Sequence, residues 1–172
     1  MKIPFFVIAF FAAAALCAQP VFPLRGNSYL QRGILEYGGE EFPITVFVKY
    51  FGLSSETAIV VDSSMGNLAK FVLGSDGSEK SLEVSQVIPE RIVRKTMLRD
   101  ARAVFGYYGL LGADVVKMSK NLRGFAADLK FDGYSVKFSD YKLWGEGKLL
   151  PQTIEIASDS YKLKLTLVAL LK

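Results

Sequence analysis

Short runs in which apolar and polar residues alternate, most of them cut off by glycine, fill most of this chain and confine it to antiparallel sheet. Before residue 85 the runs cover residues 29–37, 42–51, 57–63, 67–73 and 81–84, with Gly38-Gly39, Gly52, Gly66 and Gly74 to Gly77 in the gaps. That is the pattern of a meander. In the second run Ile44, Val46, Val48 and Tyr50 share one face while Thr45, Phe47, Lys49 and Phe51 share the other. Both faces therefore carry apolar surface, and something must cover the second. After Arg123-Gly124 the runs resume at 125–131, turn at Asp132-Gly133, and continue through 134–143, 153–157 and 161–170. In the last run Tyr161, Leu163, Leu165 and Leu167 alternate with Lys162, Lys164 and Thr166, until Val168 and Leu170 take over the polar face.

One helix interrupts the sheet. Ile88-Pro89-Glu90 opens it, with proline in the first turn and Gly106 just past its end. Val93, Met97, Leu98, Ala101, Val104 and Phe105 share an arc of about 140° at helical spacing. Arg91, Lys95, Arg99 and Arg102 fill the neighbouring arc, and Arg94 lies inside the apolar one. Such a helix packs on the sheet with a solvated basic face, Arg94 snorkelling out to water; a basic lid that also meets anionic headgroups or an acidic partner has the same pattern. Residues 107–120, apolar and glycine-punctuated, suit either a loop with a short helix or a covering segment. Eight or nine antiparallel strands with one helical insertion make a mainly β, α+β chain: a strongly curved sheet or unclosed barrel with a helical lid over residues 28–172.

The first eighteen residues read as an export leader. Lys2 precedes an apolar stretch over 3–16, broken only by Pro4, and Leu16-Cys17-Ala18 offers small residues for cleavage. The stretch is short of the roughly 20 residues a membrane span needs. Cleavage before Cys17 would permit lipidation there; cleavage after Ala18 would leave a soluble protein with no cysteine. Residues 19–27, with Pro20, Pro23 and Gly26, form a tether or irregular lead-in.

Composition excludes much chemistry. Histidine is absent and Cys17 is the single cysteine, so His-based triads, Cys-His catalysis, zinc sites and disulfides are closed to the mature chain. No catalytic residue, cofactor or metal site is expected, and the protein is read as a monomer. Without Lys2 the charge is +3, all of it on residues 89–105, too little to argue for nucleic acid. Gly145-Glu146-Gly147 is a turn, Asp62, Asp76 and Glu79 are solvated acids, and Trp144 is a sheet-edge anchor. The pattern brings Val46, Val48, Val93, Met97, Leu98, Phe105, Leu163 and Leu165 toward one apolar space, a cavity for an apolar ligand or an ordinary filled core.

The stretch YSVKFSDYKLWGEGKLLPQTIEIASDSYKLKLTLVALL, residues 134–171, resembles the end of the LolA and LolB superfamily of lipoprotein carriers and receptors. The matching features are a strand ending in Tyr141, a turn with Gly145 and Gly147, Pro151 before Ile154 and Ile156, and alternating Leu163, Leu165 and Leu167. GNLAKFVLGSDGSE, residues 66–79, is similar to the hairpin before that family's helical region, and IPERIV to the helix start. The resemblance implies a helix-lidded apolar cavity that shelters acyl chains of lipids or lipoproteins, in the periplasm or on the outer membrane of a Gram-negative-type cell, with contact to a membrane surface. It brings no catalytic residues. It also implies a buried arginine that locks the lid, with Arg32 and Arg94 as candidates, and for a receptor an exposed apolar loop, which Phe51-Gly52-Leu53 would suit. The same fold with a filled core would suit a structural or interaction lipoprotein of the envelope.

Overall fold

The computed structural model describes residues 28–107, 118–120, 126–144 and 148–171. The leader with Cys17, the 19–27 lead-in and the Gly145-Glu146-Gly147 turn lie outside these residues, as do most of 107–120 and the side chains of Phe105 and Trp144.

Among the described residues, ten strands form one antiparallel sheet. They are β1 (Ser28–Tyr37), β2 (Glu40–Phe51), β3 (Glu56–Ser63), β4 (Gly66–Leu73), β5 (Glu79–Val84), β6 (Met118–Lys120), β7 (Ala126–Phe131), β8 (Tyr134–Trp144), β9 (Lys148–Ser158) and β10 (Tyr161–Leu171). The order β5-β4-β3-β2-β1-β10-β9-β8-β7-β6 puts the first and last strands side by side and leaves β5 and β6 as edges, so the sheet curves without closing. The helical region follows β5 in sequence and precedes β6. It therefore has to pass from one edge strand to the other.

Hairpin turns follow from residue type. Gly38 and Gly39, with φ of 63° and 87°, make the β1–β2 connection that only residues tolerant of left-handed backbone adopt freely. Gly33 serves a different purpose: a Cβ built there would stand 1.9 Å from the Lys164 carbonyl oxygen. Glycine lets β1 and β10 approach at the centre of the sheet, where a side chain would hold them apart.

The expected helix is bent. Segment α1 (Glu90–Lys95) and segment α2 (Met97–Tyr107) meet at Thr96, whose hydroxyl donates to the Ile92 carbonyl at 2.8 Å. A threonine bonding back to the preceding turn pulls a helix off its axis. The backbone bonds from Thr96 to Ile92 and from Asp100 to Thr96 carry the chain through the bend. Gly106 lies inside α2 rather than beyond it.

Three strands carry irregularities that the pairing explains. Strand β9 begins at Lys148, so Pro151 is internal, opposite Tyr141 of β8. The β9–β10 ladder stops at the Thr153/Thr166 pair, and at Pro151 the strand has a ladder on one side only, where a missing N–H is tolerated. Pro43 in β2 has the same situation, paired with Ile34 of β1 but lying before the β2–β3 ladder begins. In β10 the expected takeover of the polar face stops at Val168. The register against β1 shifts between Leu30 and Gln31, skipping Val168, so Leu170 pairs with the buried Tyr29 and packs against the core.

Candidate functional site

Helix and sheet meet on the inner face. Val48, Val93 and Leu98 are at most 1% exposed, and Val46 and Leu165 are below 9%. All five belong to one apolar cluster, against which the part-buried Met97 and Leu163 pack. Ile59, Phe71, Val136, Phe138, Ile154 and Ile156 extend it across the sheet. Full burial of a side chain such as Leu98 stabilises by about 2 kcal/mol, so this face is the main adhesive between helix and sheet. Of the sequence-derived lining residues, seven are thus brought together, while the Phe105 side chain lies outside the described residues.

Polar side chains hold the helix at both edges. Toward β4 and β5, Arg94 bonds Glu90 at 2.7 Å and also Glu79, and Arg102 donates to the Gly77 carbonyl at 2.9 Å. Arg94 is exposed, so it does not fill the place of a buried lock; hydrogen bonds to Glu90 and Glu79 raise its pKa. Arg32 is exposed as well, on β1.

Toward β8 and β10 the attachment is buried. Asp100, 5% exposed, accepts from the Tyr161 hydroxyl and from Arg99, whose Nη2 lies 2.9 Å from Oδ1. Arg99 also donates to the Tyr161 hydroxyl, and its guanidinium lies 3.8 Å from the centre of the Tyr134 ring. Tyr134 in turn stacks on Phe131 at 4.3 Å. Burial raises the Asp100 pKa against the opposing pull of Tyr161 and Arg99. Burial likewise pushes the Tyr161 hydroxyl far up, helped by the Asp100 charge, so it stays a donor. Arg99 was expected on a solvated basic face; instead Asp100, one residue on, turns inward and draws it down. The helical period separates the two residues by about 100°, and only the position of Tyr161 across the fold shows that both reach one partner.

The Phe51-Gly52-Leu53 turn is exposed. At the β2–β3 turn Leu53 is fully exposed and Phe51 is 39% exposed, with Lys49 Nζ 5.0 Å from the Phe51 ring centre. By strand direction this turn lies at the same end of the sheet as Ser28 and as Leu143, which is 73% exposed. An open depression at the opposite end, lined by Glu36, Glu40, Glu41, Asp159 and Lys162, is charged and belongs to the turns rather than to the inner face. Among the described residues no group of acids, histidines or cysteines is placed to hold a metal, and no helix is long and apolar enough to cross a membrane.

No protein-family model and no curated protein matches the sequence. Solved structures do match the fold. A domain from Vibrio parahaemolyticus described as an outer membrane lipoprotein-sorting protein superposes with a TM-score of 0.51 at 11% identity, over 95% of this chain and 90% of the other. A DUF1329 family protein from Desulfovibrio piger superposes with a TM-score of 0.50 at 8% identity, over 95% and 92%. The likeness, low in identity but running along nearly the whole of each chain, supports a LolA/LolB-like fold, seen here as an unclosed, curved antiparallel sheet with a bent helix.

Proposed function

We propose that this protein shelters the acyl chains of lipids or lipoproteins in the cell envelope, as a soluble carrier if cut after Ala18 or as an anchored receptor if lipidated at Cys17. The observation that carries the reading is the apolar inner face of an unclosed sheet, covered by a helix fastened at both edges. Each buried CH₂ of an acyl chain is worth about 0.8 kcal/mol, so even a part-covered chain competes with a membrane. The likeness to a lipoprotein-sorting domain supports this reading at the level of fold. Leu53 and Phe51, at the sheet end where β1 begins, support contact with a membrane surface on the side from which a tether would come. The protein acts as a non-catalytic binding protein, periplasmic or on the periplasmic face of the outer membrane.

One observation favours a second reading. Val48, Val93 and Leu98 are buried among other apolar side chains, as in a structural or interaction lipoprotein with a filled core. Native mass spectrometry of the protein isolated from its own membranes separates the two. A bound lipid or lipopeptide is the expected result. A protein that carries none and takes up no acyl probe would establish the filled core, and the intact mass reports whether the chain starts at Cys17 or Gln19.

A further inference from the structure

Among the described residues, one buried side-chain donor on the inner face has no partner: Gln152 Nε2. Gln152 is 8% exposed and shares a face of β9 with Leu150, Ile154 and Ile156, all buried, so its amide points to the apolar inner side. Neither neighbouring strand answers it. On the β10 side the ladder ends one residue earlier, at Thr153/Thr166, although β9 runs back to Lys148 and β10 on to Leu171. The ladder between the two strands thus stops short of Gln152, within a sheet that stays continuous. On the β8 side the facing residue is Asp140, between the Ser139/Thr153 and Tyr141/Pro151 pairs. Its φ of 56° is left-handed, and its carboxylate accepts from Thr153 Oγ1 at 2.9 Å and Ser139 Oγ at 3.3 Å rather than from Gln152. A second amide, Gln31, is buried on the same face and pairs with Leu167, the β10 residue next after the last rung.

A buried amide donor without an acceptor is a costly defect that folded proteins rarely keep without a use. Its surroundings specify the missing partner. Among the described residues, its same-face neighbours along β9, Leu150, Ile154 and Ile156, are buried and apolar, which disfavours a carboxylate or phosphate and suits a neutral acceptor attached to hydrocarbon. We infer that Gln152, just past the end of the β9–β10 ladder, is a recognition point for the carbonyl oxygen of an acyl ester or amide, setting how deep the chain lies. This rests on the acyl-binding reading above and adds to it a polar contact that distinguishes acyl chains from plain hydrocarbon.

The test uses the full-length exported chain, stripped of lipid, and two probe pairs. One pair is a diacylglyceryl-cysteine peptide and its dialkyl ether counterpart; the other is a diacyl phospholipid and its dialkyl ether counterpart. The wild type is expected to prefer the ester by about tenfold in at least one pair, and the pair that shows it names the source of the carbonyl. Gln152→Leu is expected to bind ester and ether alike, at the wild-type affinity for the ether. Its ligand-free thermal midpoint should be equal to or above that of the wild type, because an unanswered buried donor is gone. Equal wild-type affinity for ester and ether in both pairs overturns the role of Gln152 while leaving acyl binding intact. Binding of no probe overturns the acyl-binding reading itself and the inference with it. A Gln152→Leu protein that melts well below the wild type shows a structural amide and also overturns the inference.

Discussion

The helix is fastened at its two sides by opposite kinds of chemistry. Toward β5, Arg94 reaches Glu79 and Glu90 in water, with its side chain 47% exposed. Toward β10, Asp100, Arg99 and Tyr161 form a cluster in which the carboxylate side chain is only 7% exposed. Exposed pairs are screened, and holding long side chains in place costs entropy, so their net contribution is small. A buried cluster is different: each member satisfies a group already withdrawn from water, and removal of one strands the others. The β10 side is therefore the stronger attachment and the β5 side the weaker; under the proposed function, the helix would open about its β10 edge.

The comparison breaks most readily at Asp100. Asp100→Ala leaves the half-buried Arg99 and the Tyr161 hydroxyl without their common acceptor and is expected to cost about 3 kcal/mol in urea denaturation. A loss no larger than that of a surface substitution would show that the two sides are alike. Tyr161→Phe removes one donor from the carboxylate and keeps the ring against its neighbours, so about 1 to 2 kcal/mol should be lost by the same measurement.

A smaller effect lies in the pH dependence. Burial raises the Asp100 pKa in the folded protein above its ordinary 3.8, so between that value and the raised one the folded state holds a proton that the unfolded state has released. Stability contributed by this group is therefore fully present below 3.8 and declines as pH rises through the window. Denaturation of the wild type and of Asp100→Asn across this range should show the wild type losing ground as pH rises; the opposite slope would mean that Arg99 outweighs burial. The smallest effect is expected at Arg94. Arg94→Ala should leave the melting temperature unchanged at high salt, while amide exchange in Glu90–Lys95 becomes faster than in Met97–Tyr107.

Much of this architecture was legible in residue order. The first five strands lie within two residues of the ends expected from alternation and glycine, because each hairpin is a local event between neighbouring segments. The inner-face residues Val46, Val48, Val93, Leu98 and Leu165 were legible for the same reason, as periodicity states which side of an element is apolar. The bend at Thr96 was not read, since threonine is tolerated within helices and its hydroxyl bond is a matter of geometry. Nor was the length of β9, because Pro151 argues against a strand interior until the ladder to β10 is seen to have ended.

By itself, then, the sequence determined an antiparallel sheet with one amphipathic helix, no histidine chemistry and an apolar face large enough to need a cover. Those properties depend on residues near one another in the chain. The tertiary structure alone decided which charged groups are buried and where each ladder ends. Arg99 and Asp100 look like two more surface charges until β10 delivers Tyr161 from 61 residues beyond Asp100. Gln152 looks like an ordinary polar residue of a half-exposed strand until the sheet places it at the end of a ladder, facing inward. Burial and pairing are set by partners distant in sequence, and no local pattern encodes them.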